Sequence, residues 1–284
     1  MNAKLKYSIL GTTIMFIFIL FFNFFYISSK SSSEVNKIDT NKNVTMLTFD
    51  DGPGEADLKI LKILNNNNIH ATFFEVGCNL AKYRFSDKFE EAHPELKKNE
   101  ESVEDSKKSD SITTIVQKIL NSGNFIGNHT YNHQKYVNKI SSLIDELKIT
   151  NMLIKEVYKE NLGVDISSSQ IPVRMPYLQY FPGVEYALKQ AGNSYIARGY
   201  LGTDYFEKEA GVAKILTQYE THLKKGIIFC CHSKDYAQEW LPLLIEYLRD
   251  KNYTKFATFW PKNLDSSISS FKENSYENYG RLVK

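Results

Sequence analysis

From residue 44 onward the chain alternates short apolar runs with longer stretches in which apolar residues recur every three or four positions. The short runs predict strands over 44–49, 71–76, 125–128, 170–174, 194–197, 227–231 and 255–259. The longer patterns between them predict helices over 56–64, 112–121, 137–158, 184–191, 211–225 and 236–251. Strand and helix in strict turn argue for an α/β protein with a parallel sheet covered by helices.

Four segments break this rhythm. Residues 1–30 begin with Lys4 and Lys6 and then run apolar from Ile9 to Ile27, broken only by Gly11, Thr12, Thr13 and Asn23. About twenty such residues cross a bilayer as a helix, and a basic flank stays on the cytoplasmic side. The segment therefore reads as one N-terminal transmembrane helix anchoring an extracytoplasmic protein. A cleaved signal peptide, giving a secreted protein, is the alternative, although the exit Phe24-Phe25-Tyr26-Ile27-Ser28-Ser29 has no Ala-x-Ala site. Residues 31–43 are polar and aperiodic and read as a linker. Within the patterned region 44–261, residues 84–110 are dense in both signs of charge. Beyond Phe85, Phe89 and Leu96 they offer little to bury, so they read as an inserted surface loop, partly disordered. Residues 262–284 read as a polar C-terminal tail.

Composition changes the picture in two places. With 35 basic and 33 acidic residues the net charge is +2, which leaves no electrostatic case for a nucleic-acid partner. The three cysteines, Cys78, Cys230 and Cys231, are odd in number and two are neighbours, so no disulfide framework is expected. Cys230 and Cys231 sit inside an apolar run and read as small buried hydrophobes.

Candidate chemistry gathers at the ends of the predicted strands. Asp50 and Asp51 close the run 44–49 and are followed by Gly52-Pro53. Successive strand residues point to opposite sides, so one carboxylate can face a metal while the other faces a substrate. His129 and His133 are spaced as for one side of a helical turn, within reach of a single ion. Two imidazoles and one carboxylate leave coordination positions open, as a catalytic metal site requires. His70, His93 and His222 have no such context and read as non-catalytic.

These residues resemble the polysaccharide deacetylase family, carbohydrate esterase family 4, also called the NodB homology domain. The resemblance spans roughly Val44 to Trp260. It rests on Thr48-Phe49-Asp50-Asp51-Gly52-Pro53, Ala71-Thr72-Phe73-Phe74-Glu75-Val76-Gly77, His129-Thr130-Tyr131-Asn132-His133, Arg174-Met175-Pro176-Tyr177 and the run ending in His232, in that order. It implies a distorted (β/α) barrel, TIM-like with about seven strands, with 44–261 as the catalytic domain. It also implies Asp51, His129 and His133 as ligands of a divalent metal, zinc or cobalt in its place. Asp50 becomes the general base with Arg174 as its charge-assisted partner, and His232 the general acid. Tyr177 would offer its backbone N–H to the oxyanion, on a turn fixed by Pro176.

The match weakens around the substrate groove. Leu178 stands where the family usually has Gly, Leu201-Gly202-Thr203-Asp204-Tyr205 only partly matches the fourth motif, and Cys230 replaces a usual leucine. Tyr131, Pro176, Asp204 and Tyr205 are the groove candidates, with Tyr180, Phe181 and Phe206 as further rings for sugar stacking. The implied activity is removal of N-acetyl groups from an amino-sugar polymer such as peptidoglycan or another envelope polysaccharide. The rivals are an O-acetyl esterase, a deacetylase of lipid-linked sugar, and a non-catalytic glycan-binding relative. A mononuclear iron oxygenase shares the two-His, one-carboxylate set but does not call for the neighbouring Asp or the distant acid.

Overall fold

The computed structural model describes residues 33–96, 103–264 and 267–284. The central strand is β3 (Val44–Gly52), buried along its length except at Asp51. A strand pairing on both edges and covered on both faces needs continuous apolar character, which Val44-Thr45-Met46-Leu47-Thr48-Phe49 supplies. On one edge β3 pairs in parallel with β8 (Ile228–His232), and on the other with β4 (Thr72–Glu75) and, at its start, β9 (Lys255–Phe256). Next to β4 lies β5 (Phe125–Asn128), also parallel.

Bridges Asn128↔Val173 and Val173↔Ile196 then carry the pairing to the 196–201 segment, which holds β6 (Ile196–Ala197) and β7 (Tyr200–Leu201). Because β7 pairs back onto β8, the circuit closes as a distorted parallel barrel. Its register sets Asp50 opposite both His232 and Phe74, and Glu75 opposite Asn128. The carboxyl ends of these strands therefore share one rim, where barrels of this class place their active sites.

The helices fall where the periodicity predicts them, at Glu55–Asn66, Val103–Asn121, Ile140–Leu162, Val184–Ala191, Val212–Thr221 and Ala237–Asp250. Four expectations are corrected. The predicted strand 170–174 is reduced to one bridging residue, Val173, after a short 3-10 turn, because Pro172 has no N–H to give a ladder. The segment read as a linker contributes β1 (Glu34–Val35), parallel to β6, and β2 (Lys37–Asp39). Its polar composition hides Val35 and Ile38, which join the core. The backbone N–H of Ile38 donates to Gly226 at 2.7 Å, and at φ 74° with a Cβ-free approach to Ile38 only glycine suits that position.

The charged insert is helical at Asp87–Ala92, and the helix Val103–Asn121 starts inside it. Phe89 is buried there, 4.7 Å from the ring of Phe85, and Arg84 pairs with Asp110 at 2.5 Å. The tail is also built in. Phe271 of the helix Ser269–Glu273 stacks on buried Trp260 at 4.1 Å, and β10 (Arg281–Val283) runs antiparallel to β2. Among the described residues no helix is long and apolar enough to cross a membrane. The expected transmembrane helix at 9–27 lies outside the described residues.

Phe271 thus fastens the tail to the barrel. Phe271→Ala should cost about 3–5 kcal/mol, the usual range for emptying a buried aromatic site. Denaturant unfolding checks it, and a loss under 1 kcal/mol, roughly that of an ordinary surface substitution, would mean the tail is not part of the cooperative unit.

Candidate active site

Asp50 points from the end of β3 into the barrel and meets Arg174. Both carboxylate oxygens lie 3.0 Å from Arg174 Nη1. The guanidinium also donates through Nη2 to Thr48 Oγ1 at 3.0 Å and through Nε to the carbonyl of Ala197, and its face rests 4.5 Å over the Phe74 ring. Burial works against the Arg174 charge, but Asp50 more than offsets it and holds the group above its usual value. The thiol of Cys230 donates to Asp50 Oδ2 at 3.3 Å.

Asp51 turns the other way. Its φ of 80° rotates the carboxylate toward the rim, where Oδ1 lies 3.5 Å from His129 Nε2 and 3.2 Å from His133 Nε2. One ligand atom from each of the three lies within 4.8 Å of the others. The helical turn expected for the two histidines is not formed. Residues 129–136 are a loop, with Thr130 and His133 at φ 65° and 51°, and it is this backbone reversal that brings the rings to 4.8 Å.

Glu146, from the helix Ile140–Leu162, holds that loop. It accepts from the backbone N–H of Tyr131 (3.1 Å) and Asn132 (2.7 Å), from Asn132 Nδ2 (3.2 Å) and from the Tyr136 hydroxyl. His129 Nδ1 sits 2.8 Å from the carbonyl of Arg174. A carbonyl only accepts, so Nδ1 carries the proton and the Nε2 lone pair is left facing Asp51. That tautomer and donor set fit a divalent zinc-type ion. Burial tends to raise the Asp51 carboxyl, but with no cation bound the protonated forms of the surrounding imidazoles, His129 first and then His232 and His133, hold it well below the usual range. Burial and then the His129 charge push His133 down, toward the neutral form a ligand needs.

His232 ends β8 and is tethered to Asp204, which is buried beneath it. Asp204 Oδ2 accepts from the His232 backbone N–H at 2.7 Å and lies 3.2 Å from Nδ1, while Oδ1 accepts from Tyr219 at 2.8 Å. Burial alone would lower the imidazole, but the Asp204 hydrogen bond and charge, with Asp50 and Asp51 behind, raise it above its usual value. A cavity of about 400 Å³ opens over Asp50, Asp51, His129, His133 and His232. Tyr177 and Tyr205 stand on its walls, half exposed, their rings 5.0 Å from His133 and 5.6 Å from His232.

Of the four groove candidates, Tyr205 lines this cavity and the other three do not. Tyr131 packs against Gly77 and the core, Pro176 is buried, and Asp204 lies under His232. Their motif positions fix backbone and second-layer contacts rather than the cavity wall. Lys234, which reaches within 4.0 Å of Asp51 Oδ2, was not anticipated at the site, and Cys230, noted as a departure near the groove but read as a small buried hydrophobe, lines the cavity. Strand alternation could have flagged Cys230, which shares a face with His232 two residues on. Away from the cavity, His70 is bonded to the Ser122 carbonyl at 2.9 Å and His222 is stacked on Tyr200 at 3.8 Å.

Glu75 was also missed. It is fully buried at the end of β4, with no hydrogen-bond partner for either carboxyl oxygen among the described residues. A Cβ at Gly52 would collide with both its carboxyl and that of Asp57, which explains the glycine there. Burial, then the charges of Asp57, Asp50 and Asp51, push Glu75 well above the carboxylate range. Burial lifts Asp57 to about 6 despite its bonds from Ser233 and Gly54.

The polysaccharide deacetylase family model matches residues 37–196, more than half of the chain. Over 116 residues the chain is 33% identical to the peptidoglycan-N-acetylglucosamine deacetylase of Bacillus cereus, covering 40% of this chain and 30% of that protein. The chain spans about a third of the length of the curated relatives it matches. The Xyl-CE4 domain of a multidomain xylanase from the hindgut metagenome of Trinervitermes trinervoides superposes with a TM-score of 0.58 at 23% identity, covering 86% of this chain and 95% of that one. A CE4 family pseudoenzyme from Bacillus anthracis does so with a TM-score of 0.58 at 18% identity, covering 81% and 69%. At these identities the two structures establish a common fold, and the second is a reminder that fold does not confer activity.

The buried Glu75 carboxyl gives stability a pH dependence of known sign. Its folded value lies above its ordinary 4.5, so the folded state keeps a proton that the unfolded chain releases. Stability is therefore lost as pH rises from the ordinary value toward the raised one. Glu75→Gln, neutral throughout, should show a flatter Tm curve than the parent over about pH 5–8. Parallel curves would show that Glu75 does not hold its proton. Asp57 contributes the same sign in both proteins.

Proposed function

The chain belongs to the polysaccharide deacetylase family, and we propose that it is a metal-dependent hydrolase removing N-acetyl groups from an amino-sugar polymer of the cell envelope. The observation that carries this reading is the convergence of Asp51, His129 and His133 at the floor of an open cavity, with Asp50 and His232 beside them. The metal would be zinc, with cobalt able to replace it. Bound there, it would supply Lewis-acid polarisation of the acetyl carbonyl and acidify a water.

The chain's own residues supply the rest. Asp50 takes the proton of the attacking water, and Arg174 fixes the carboxylate so that it cannot rotate away. The Tyr177 backbone N–H, presented by a left-handed residue after buried Pro176, faces the developing oxyanion. His232 gives its proton to the departing nitrogen, and Asp204 keeps the ring oriented and its cation stable. Tyr177 and Tyr205 offer ring faces to sugars on either side of the reacting acetamide. Attachment through residues 9–27 would keep the site outside the cytoplasm, beside an immobile substrate. Asp50, Asp51, His129, His133, Arg174 and His232 are all present, which supports catalysis over a purely glycan-binding role.

The test uses the chain from Ser33, because β1 and β2 belong to the fold. Acetate release from N-acetylglucosamine oligomers and peptidoglycan should vanish with chelator and return with zinc or cobalt. Acetylated xylan as a parallel substrate separates ester from amide cleavage, and no acetate from any of them would remove the enzyme reading. Asp50→Asn should keep the metal held by Asp51, His129 and His133 yet lose roughly a hundredfold or more in kcat, whereas His129→Ala should lose that metal as well. Tyr177→Phe should keep near-normal kcat, since the backbone N–H is untouched.

A general acid works while protonated, so activity falls as pH rises through the raised His232 value. Asp204→Asn should move that alkaline limb to lower pH. An unmoved limb would take the acid role from His232.

A further inference from the structure

We propose that Asp50, Cys230 and His232 form a second metal site, one that takes a thiophilic divalent cation such as Zn²⁺ or Cd²⁺ and inhibits the enzyme. One carboxylate oxygen, the thiol sulfur and one imidazole nitrogen lie within 4.8 Å of one another, a convergence separate from the Asp51, His129 and His133 set. The barrel register builds it. Thr48 pairs with Cys230 and Asp50 with His232, so alternate residues of two neighbouring strands present their side chains on one face. All three line the open cavity, which gives a cation its route in. Cys231, one residue on, faces the other way.

The chemistry of the donors suits zinc, which takes thiolate, imidazole and carboxylate together. His232 Nδ1 is engaged by Asp204 Oδ2 at 3.2 Å, which leaves Nε2 for the cavity side, the same arrangement of outer acceptor and inner ligand seen at His129. Asp50 already accepts from Arg174 and Cys230, and an ionised carboxylate has about four lone-pair sites in all. Burial pushes the Cys230 thiol well up, with the Arg174 charge pulling against it, so the sulfur keeps its proton until a cation displaces it. On binding, the S–H proton leaves to solvent as the sulfur–metal bond forms, and nothing is oxidised or reduced. The cation would then occupy the base and the acid at once. Activity would peak with the first equivalent of metal and fall with the second.

The full-length chain, stripped of metal, is titrated with Cd²⁺ while sulfur-to-cadmium charge-transfer absorbance is followed, and with Zn²⁺ in equilibrium dialysis. The parent should bind two equivalents and develop the band. Cys230→Ala should bind one and show no band. His129→Ala should lose the first-site equivalent and keep the band. Because a buried cysteine substitution can disturb folding, His232→Ala serves as the second variant, and its sulfur-linked equivalent should bind about 10–100-fold more weakly than in the parent.

In assays normalised to each protein's own one-equivalent rate, the second equivalent should depress the parent about tenfold or more and leave Cys230→Ala unchanged, in line with capture of both proton-transfer groups. A parent that saturates at one equivalent without a band overturns the proposal, as does a band that survives in Cys230→Ala. Inhibition that persists in Cys230→Ala also overturns it. The binding measurements need no turnover, so failure of the second site and failure of the hydrolase reading are told apart.

Discussion

A guanidinium with no exposed surface stays charged in a protein interior only if it is paired on every side, and Arg174 meets that constraint by tying the rim of the candidate site together. It reaches Asp50 and Thr48 on β3, the carbonyl of Ala197 on β6 and the ring of Phe74 on β4, while its own carbonyl fixes the His129 tautomer. Val173, its neighbour, carries the two bridges that complete the barrel where no true strand forms. The site and the closure of the fold are therefore one construction. Removing one member of a buried pair leaves the other charge uncompensated, a cost of about 3–5 kcal/mol. Arg174 would be poorly replaced even by Lys, which lacks the planar fork that serves three strands.

The second constraint is an excess of acid. Asp50, Asp51, Asp57 and Glu75 crowd one end of the barrel, and each answers the crowding differently. Asp50 has Arg174, Asp51 has two imidazoles, Asp57 has a serine and a backbone N–H, and Glu75 has burial alone. Burial and the neighbouring carboxylates favour the neutral form of Glu75, which then adds no further negative charge to the group. The same crowding acts on His232, whose cation is favoured by Asp204, Asp50 and Asp51 together, so one charge pattern suits a metal on one side and a proton donor on the other.

How much of this could be read in the sequence follows from how local each feature is. The candidate site residues lie in contiguous motifs at strand ends, so their types and order were legible, and the six main helices follow from periodicity alone. The convergence of His129 and His133 was legible, but its cause was not. A spacing of four suits a helical turn, whereas the structure uses left-handed residues and a Glu146 clamp contributed from a distant helix. Val35, Ile38 and Phe271 were hidden because single apolar residues in polar runs carry no period. Their burial depends on partners far along the chain. Asp204 was legible as a motif residue near the groove, and its place under His232 rather than on the cavity wall needed three dimensions.

A pseudoenzyme with the same fold sharpens what the residues must accomplish here. Keeping the metal ligands is not enough, since a scaffold could retain them for structure. Catalysis requires in addition a carboxylate that is oriented but not consumed by the ligand set, and a histidine whose proton is held until the leaving group needs it. On the proposed reading Asp50 and His232 meet both demands through Arg174 and Asp204, each fully or almost fully buried, which also brace the strands around them. Apolar replacement of a buried ion pair is often neutral or better, so stability alone does not call for two such pairs. On the proposed reading their place beside an open cavity suits a rim that moves protons.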